Sequence, residues 1–307
     1  MSKKLLAASV SALSLALLSG CSTVQHENAG YDPASSRAHN ICSAFKIEVD
    51  DQNAPDGMTF DSDGSILLDA AGKAGLIHFA GRTGGLPGTT SWTKASGIGA
   101  GLAVLDWAFK SPDSAQRNVV FGYVPEADVP QIEGTKDRYN AARKIFVQRA
   151  GDAVKAIIQA EFPNAKIRDV VVEGKFGFFT RGITISEPSL GCKNFDESKE
   201  PNDRCGIGIN SHSAWVTPAL TSTVFGEEQF SAYRFGGSAN VNYLVQTGRK
   251  HGINWVEVLM RHTDLIPSNV YIYLTTNFGP NDVKNPPMML ETNRINFFVK
   301  PATVKAE

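Results

Sequence analysis

Along one stretch the apolar positions recur at spacings of three and four. From about Lys136 to Glu161, Tyr139, Ala142, Ile145, Phe146, Ala150, Ala153, Val154, Ile157 and Ile158 fall on one stripe, with Arg138, Lys144, Gln148, Asp152, Lys155 and Gln159 between them. That period predicts a long amphipathic helix, stopped by Phe162-Pro163-Asn164. After it the period drops towards two. Lys166–Glu173 runs through Ile167, Val170 and Val172, and Lys175–Ser186 through Phe176, Phe178, Phe179, Ile183 and Ile185, with Gly174 as the turn of a hairpin. Strands are also predicted over Ile41–Asp50 (Phe45, Ile47, Val49), Asn118–Val124, Ser268–Thr276 and Ile295–Val299. In Ser268–Thr276, Val270, Ile272 and Leu274 alternate with Tyr271 and Tyr273. Shorter helices are predicted over Ala239–Lys250 and Trp255–His262, the second with Asn254 as N-cap and Glu257 as its reciprocal partner. These elements define an α+β class: a mainly antiparallel sheet with one long amphipathic helix and shorter helices packed on it.

The N-terminus carries a different pattern. Lys3 and Lys4 precede an apolar run, Leu5–Leu18, and then Ser19, Gly20 and Cys21. A charged start, an apolar middle and a small-residue cleavage site make an export signal. The run is too short to span a bilayer, which takes roughly 20 apolar residues. Leu18-Ser19-Gly20-Cys21 resembles the lipobox of bacterial lipoproteins. The resemblance covers only this leader, and no family is recognised for the mature domain. It implies cleavage before Cys21, diacylglyceryl attachment to the Cys21 thiol, and acylation of the new N-terminus, palmitate being a typical chain. Ser22 stands where Asp usually retains such a protein in the inner membrane, so the resemblance implies an outer-membrane anchor facing the periplasm. On this reading residues 1–20 are signal peptide, 21–40 a polar tether, and 41–307 a single globular α+β domain, with a possible subdivision near 126–135 where Pro130 and Gly134 stand.

Cleavage would remove Lys3 and Lys4 and no acid. Lys+Arg then falls from 30 to 28 against 31 acidic residues, a formal net of −3. No basic excess points to nucleic acid. Of the 4 cysteines, Cys21 goes to lipid in an oxidising compartment. Cys192 and Cys205 bracket a polar stretch with almost nothing apolar to fold it, so a disulfide between them is expected. It would contribute about 3 kcal/mol in the chain-entropy picture. A Cys42 bridge to either one is the rival pairing, and connectivity stays open. Ten of the 28 glycines lie between Gly64 and Gly101, and Ser96–Phe109 is a small and apolar run. Its length and Asp106 favour a buried helix over a membrane segment.

No catalytic pattern is complete in this sequence. Gly236-Gly237-Ser238-Ala239-Asn240 misses the nucleophile-elbow pattern at its last place. S-x-x-K occurs at Ser43/Lys46 and Ser91/Lys94 without its companion motifs. Asp61-Asp63-Gly64 resembles part of a calcium loop, but Thr59 and Ala70 stand where its strongest carboxylates belong. Gly97-x-Gly99-x-Gly101 has no leading strand for a dinucleotide site. No catalytic, metal-binding or cofactor-binding residue is assigned. His212, between Ser211 and Ser213, is the one general-base candidate, and His262 with Asp264 reads as a helix end. Three functions from different classes follow. The first is an adaptor or structural lipoprotein of an envelope assembly of the secretion, conjugation or transport type, held by its acyl chains and engaging envelope proteins or itself. The second is a periplasmic hydrolase using His212. The third is a small-ligand-binding lipoprotein with Trp215, Phe225, Tyr233 and Phe235 lining a cleft.

Overall fold

The computed structural model describes residues 31–53, 65–67, 118–173, 179–187, 206–210, 231–240, 253, 255–275 and 287–301. In order along the chain these form α1 (Arg37–Ala44), β1 (Ser65–Leu67), β2 (Val119–Pro125), α2 (Thr135–Glu161), β3 (Lys166–Glu173), β4 (Phe179–Ser186), β5 (Gly206–Asn210), β6 (Ala232–Asn240), α3 (Trp255–Arg261), β7 (Val270–Leu274), β8 (Met288–Glu291) and β9 (Arg294–Phe297). The class is α+β with antiparallel pairing. Among the described residues the strands make one sheet in the order β1-β9-β8-β7-β2-β6-β5-β4-β3.

The centre of this sheet is covered on both faces. Val120 and Val124 of β2, Ile272 and Leu274 of β7, and Tyr233 and Phe235 of β6 pack with Phe146, Ala150, Val154 and Ile157 of α2 and with Trp255 and Leu259 of α3. On the opposite face Phe121, Tyr123, Tyr271, Tyr273 and Met289 pack with Ala38, Ile41 and Cys42 of α1 and with Phe45 and Ile47 just after it. Burial from both sides explains why β7, Val-Tyr-Ile-Tyr-Leu, has no exposed position. Phe121 stacks on Tyr271 at 5.3 Å and meets Phe45 edge-on at 5.0 Å.

The N-terminal expectations change here. Of the tether expected over 21–40, the described residues 31–40 are packed onto the domain. Asp32 N–H donates to Asn40 Oδ1, Ser36 caps α1 through His39 N–H, and Ser36, Ala38 and Asn40 are buried. The Ser-Ser-Arg segment reads as polar linker by composition, but its serine is an N-cap. Nor is Ile41–Asp50 one strand: its first half is helix. The alternation of Phe45, Ile47 and Val49 is real, since all three are buried while Lys46, Glu48 and Asp50 are exposed. It belongs to an extended segment beyond the helix. That segment ends in a parallel bridge between Gln52 and Val299, with Gln52 N–H donating to Phe298 O and Lys300 N–H to Gln52 O, each at 2.8 Å.

Distant residues fasten α1. Arg234 of β6 donates from Nη1 to Ala44 O at 2.7 Å, placing a cation at the helix C-terminus. Elsewhere β3 and β4 form the expected hairpin, paired from Lys166↔Ser186 to Glu173↔Phe179. The predicted helix over Ala239–Lys250 begins inside β6, so Ala239 and Asn240 are strand, paired with Val120 and Val119. Residues 241–250 lie outside the described residues.

Candidate functional site

Two places combine exposure with chemistry: the junction of the α2 and α3 C-termini, and the β3 edge of the sheet. At the junction Arg261 forks between two carboxylates, its Nη1 2.7 Å from both Glu161 oxygens and its Nη2 2.8 Å from Glu257 Oε1. His262 Nε2 meets Glu161 Oε2 at 3.0 Å. Burial raises the Glu161 carboxyl, but hydrogen bonds from His262 and Arg261 outweigh it and hold the group below the ordinary glutamate range. His262 therefore pairs with Glu161, from the other helix, and Glu257 serves Arg261. A carboxylate on one imidazole nitrogen orients the ring, and here the same carboxylate is also spent on a guanidinium. The arrangement ties two helix ends together.

A second ionic cluster fixes α2 to the β3–β4 hairpin. The Arg181 side chain, 7% exposed, donates to Asp169 from Nε at 2.8 Å and Nη2 at 2.6 Å, to Asp152 Oδ1 at 2.8 Å and to Gln148 O at 2.9 Å. These bonds raise its own pKa, and they hold Asp169 below the ordinary aspartate range, the Arg181 hydrogen bond leading. The guanidinium crosses α2 at Gly151, where a Cβ would lie 2.6 Å from Arg181 Cδ. Lys155 lies 3.4 Å from Asp169 and Lys144 2.7 Å from Glu173.

The valines of β3 are exposed on both sides of the hairpin, Val171 on the side of Arg181 and Val170 and Val172 on the opposite side. Val170, Val171 and Val172 are 37%, 50% and 52% exposed. Alternation through Val170 and Val172 suggests a buried stripe, and the register explains why they stand out. Val170 is paired with Gly182 and Val172 with Thr180, neighbours too small to cover them. Val171 is opposite Arg181, whose side chain turns away to Asp169 and Asp152. Lys166 and Arg168 are exposed on the face of Val170 and Val172, nearer the strand's start. Among the described residues no strand lies on the far side of β3. The signal in the sequence was three consecutive valines with no polar residue between them.

Of the residues singled out from the sequence, Cys21, Cys192, Cys205, His212, Trp215, Phe225, Ser91 and Lys94 lie outside the described residues. Cys42 is buried and free. Tyr233 and Phe235 are core, with Phe235 stacked on Phe146 at 5.0 Å and Tyr233 6.3 Å from Tyr139, so neither lines a cleft. Gly236–Asn240 belongs to β6 instead of a strand-to-helix turn. Ser43 and Lys46 flank the end of α1, where Lys46 takes a left-handed φ of 59° and donates its N–H to Ser43 O. Among the described residues no group of His, Cys, Asp and Glu could hold a metal ion, and no helix is long and apolar enough to cross a membrane. In comparisons with known proteins, no family model, curated protein or solved structure matches this chain.

Proposed function

We propose that the chain is a lipid-anchored envelope lipoprotein that acts as a structural or adaptor component of a periplasmic or outer-membrane assembly of the secretion, conjugation or transport type. The carrying observation is the valine edge of β3. Among the described residues no strand pairs with the outer side of β3, where Val170, Val171 and Val172 are exposed between the charged Lys166, Arg168, Asp169 and Glu173, and an open strand edge can serve as a template for pairing with another chain. The leader supports the location. Leu18-Ser19-Gly20-Cys21 provides the acylation site and Ser22 the outer-membrane destination. Two or more acyl chains hold a protein stably at a bilayer where one does not. The fold that fits this role is a mainly antiparallel sheet with one long amphipathic helix and shorter helices packed on it, in a single domain that begins near Asp32.

The test is crosslinking in intact cells, extraction in mild detergent, and mass spectrometry of what stays with the Cys21-anchored protein. The adaptor reading expects envelope proteins in near-stoichiometric amounts, lost when Val171→Lys is introduced. A protein extracted without companions under every mild condition overturns it.

A further inference from the structure

We draw no further inference here: the strongest candidate, the face of the β3–β4 hairpin on which Val170 and Val172 stand beside Lys166 and Arg168, is an unpartnered sheet face, and nothing among the described residues shows what covers it.

Discussion

Arg37 and Glu291, 254 positions apart, meet in a two-pronged ion pair, with Nε donating to Oε1 at 2.9 Å and Nη2 to Oε2 at 3.0 Å. The pair joins α1 to the last hairpin, and Glu291 Oε1 also accepts from the buried Asn296 Nδ2 at 3.1 Å. Removing the guanidinium leaves a largely buried carboxylate without its charge partner. Arg37→Ala is expected to lower unfolding free energy by about 2 kcal/mol. Arg37→Lys should recover only part of this, because an ammonium cannot make the fork. Urea midpoints at constant slope check it.

Gly151 reverses a familiar rule. Gly to Ala inside a helix ordinarily stabilises by up to about 1 kcal/mol. At Gly151 the new methyl would meet Arg181 at three atoms closer than 3.0 Å, on a side chain fixed by four hydrogen bonds. Gly151→Ala is therefore expected to destabilise, by about 1–3 kcal/mol. Thermal melts of Gly151→Ala beside Gly182→Ala, whose Cβ meets only Val170 O at 3.9 Å, give the contrast.

Gly122 sits where the β2–β6 register shifts, and a Cβ there would come within 2.1 Å of Asn269 O and 2.9 Å of Phe146 Cε2. A carbonyl that already accepts the Tyr123 N–H cannot move aside. Gly122→Ala is expected to cost more than about 3 kcal/mol, among the largest effects for any single methyl. Its soluble yield and melting temperature should show this first.

Acid should loosen the β3–β4 hairpin from α2. The folded state lowers the pKa of Asp169 through Arg181, and that of Glu161 through His262 and Arg261 against the effect of burial. A depressed carboxyl contributes stability that is fully present above its unfolded pKa and is lost as pH falls through the folded value. Melting temperature is expected to hold near neutrality and to drop below about pH 4. Asp169→Asn should melt lower at pH 7 and lose part of that acid-side slope, as a pH series of melts would show.

Thiol chemistry separates the cysteines. Burial pushes the Cys42 thiol well above its ordinary pKa, and the Asp51 charge adds to this. A buried, protonated thiol does not react. Native protein is expected to leave Cys42 unlabelled by maleimide. With Cys21 acylated and Cys192 bonded to Cys205, denatured and unreduced protein should expose a single thiol. Three thiols would mean that the expected bridge is absent. Mass spectrometry after labelling counts them.

Much of this fold was written in periodicity. The 136–161 stripe located α2 to within a residue, and the alternation of valine, isoleucine and leucine with two tyrosines located β7, because each pattern follows directly from which faces are buried. The pattern was silent where burial comes from elsewhere. α1 is only two turns long, its stripe of Ala38, Ile41, Cys42 and Phe45 runs straight into the alternation of Phe45, Ile47 and Val49, and it is held by Ser36, Arg37 and Arg234, whose partners lie 15 to 254 positions away. β5, Gly-Ile-Gly-Ile-Asn, is short and glycine-rich, and β8 and most of β6 lie where the periodicity assigns no element. The exposure of the β3 valines is not legible in the sequence for a related reason. Val170 and Val172 have the composition of a buried stripe, and only the Gly182 and Thr180 opposite them leave them uncovered.

The fastening of α1 also has a mechanical consequence. Its first tie among the described residues is at Asp32, so an anchor at Cys21 would stand about ten residues from that tie, at most roughly 35 Å of chain. Beyond that distance a pull on the start of the described chain is borne by the Ser36–Asp51 bonds and the Arg37–Glu291 fork, and passes through the fork into β8, the third strand from the β1 edge. A pull on the lipid would thus load the β8 side of the sheet and spare β3 at the opposite edge.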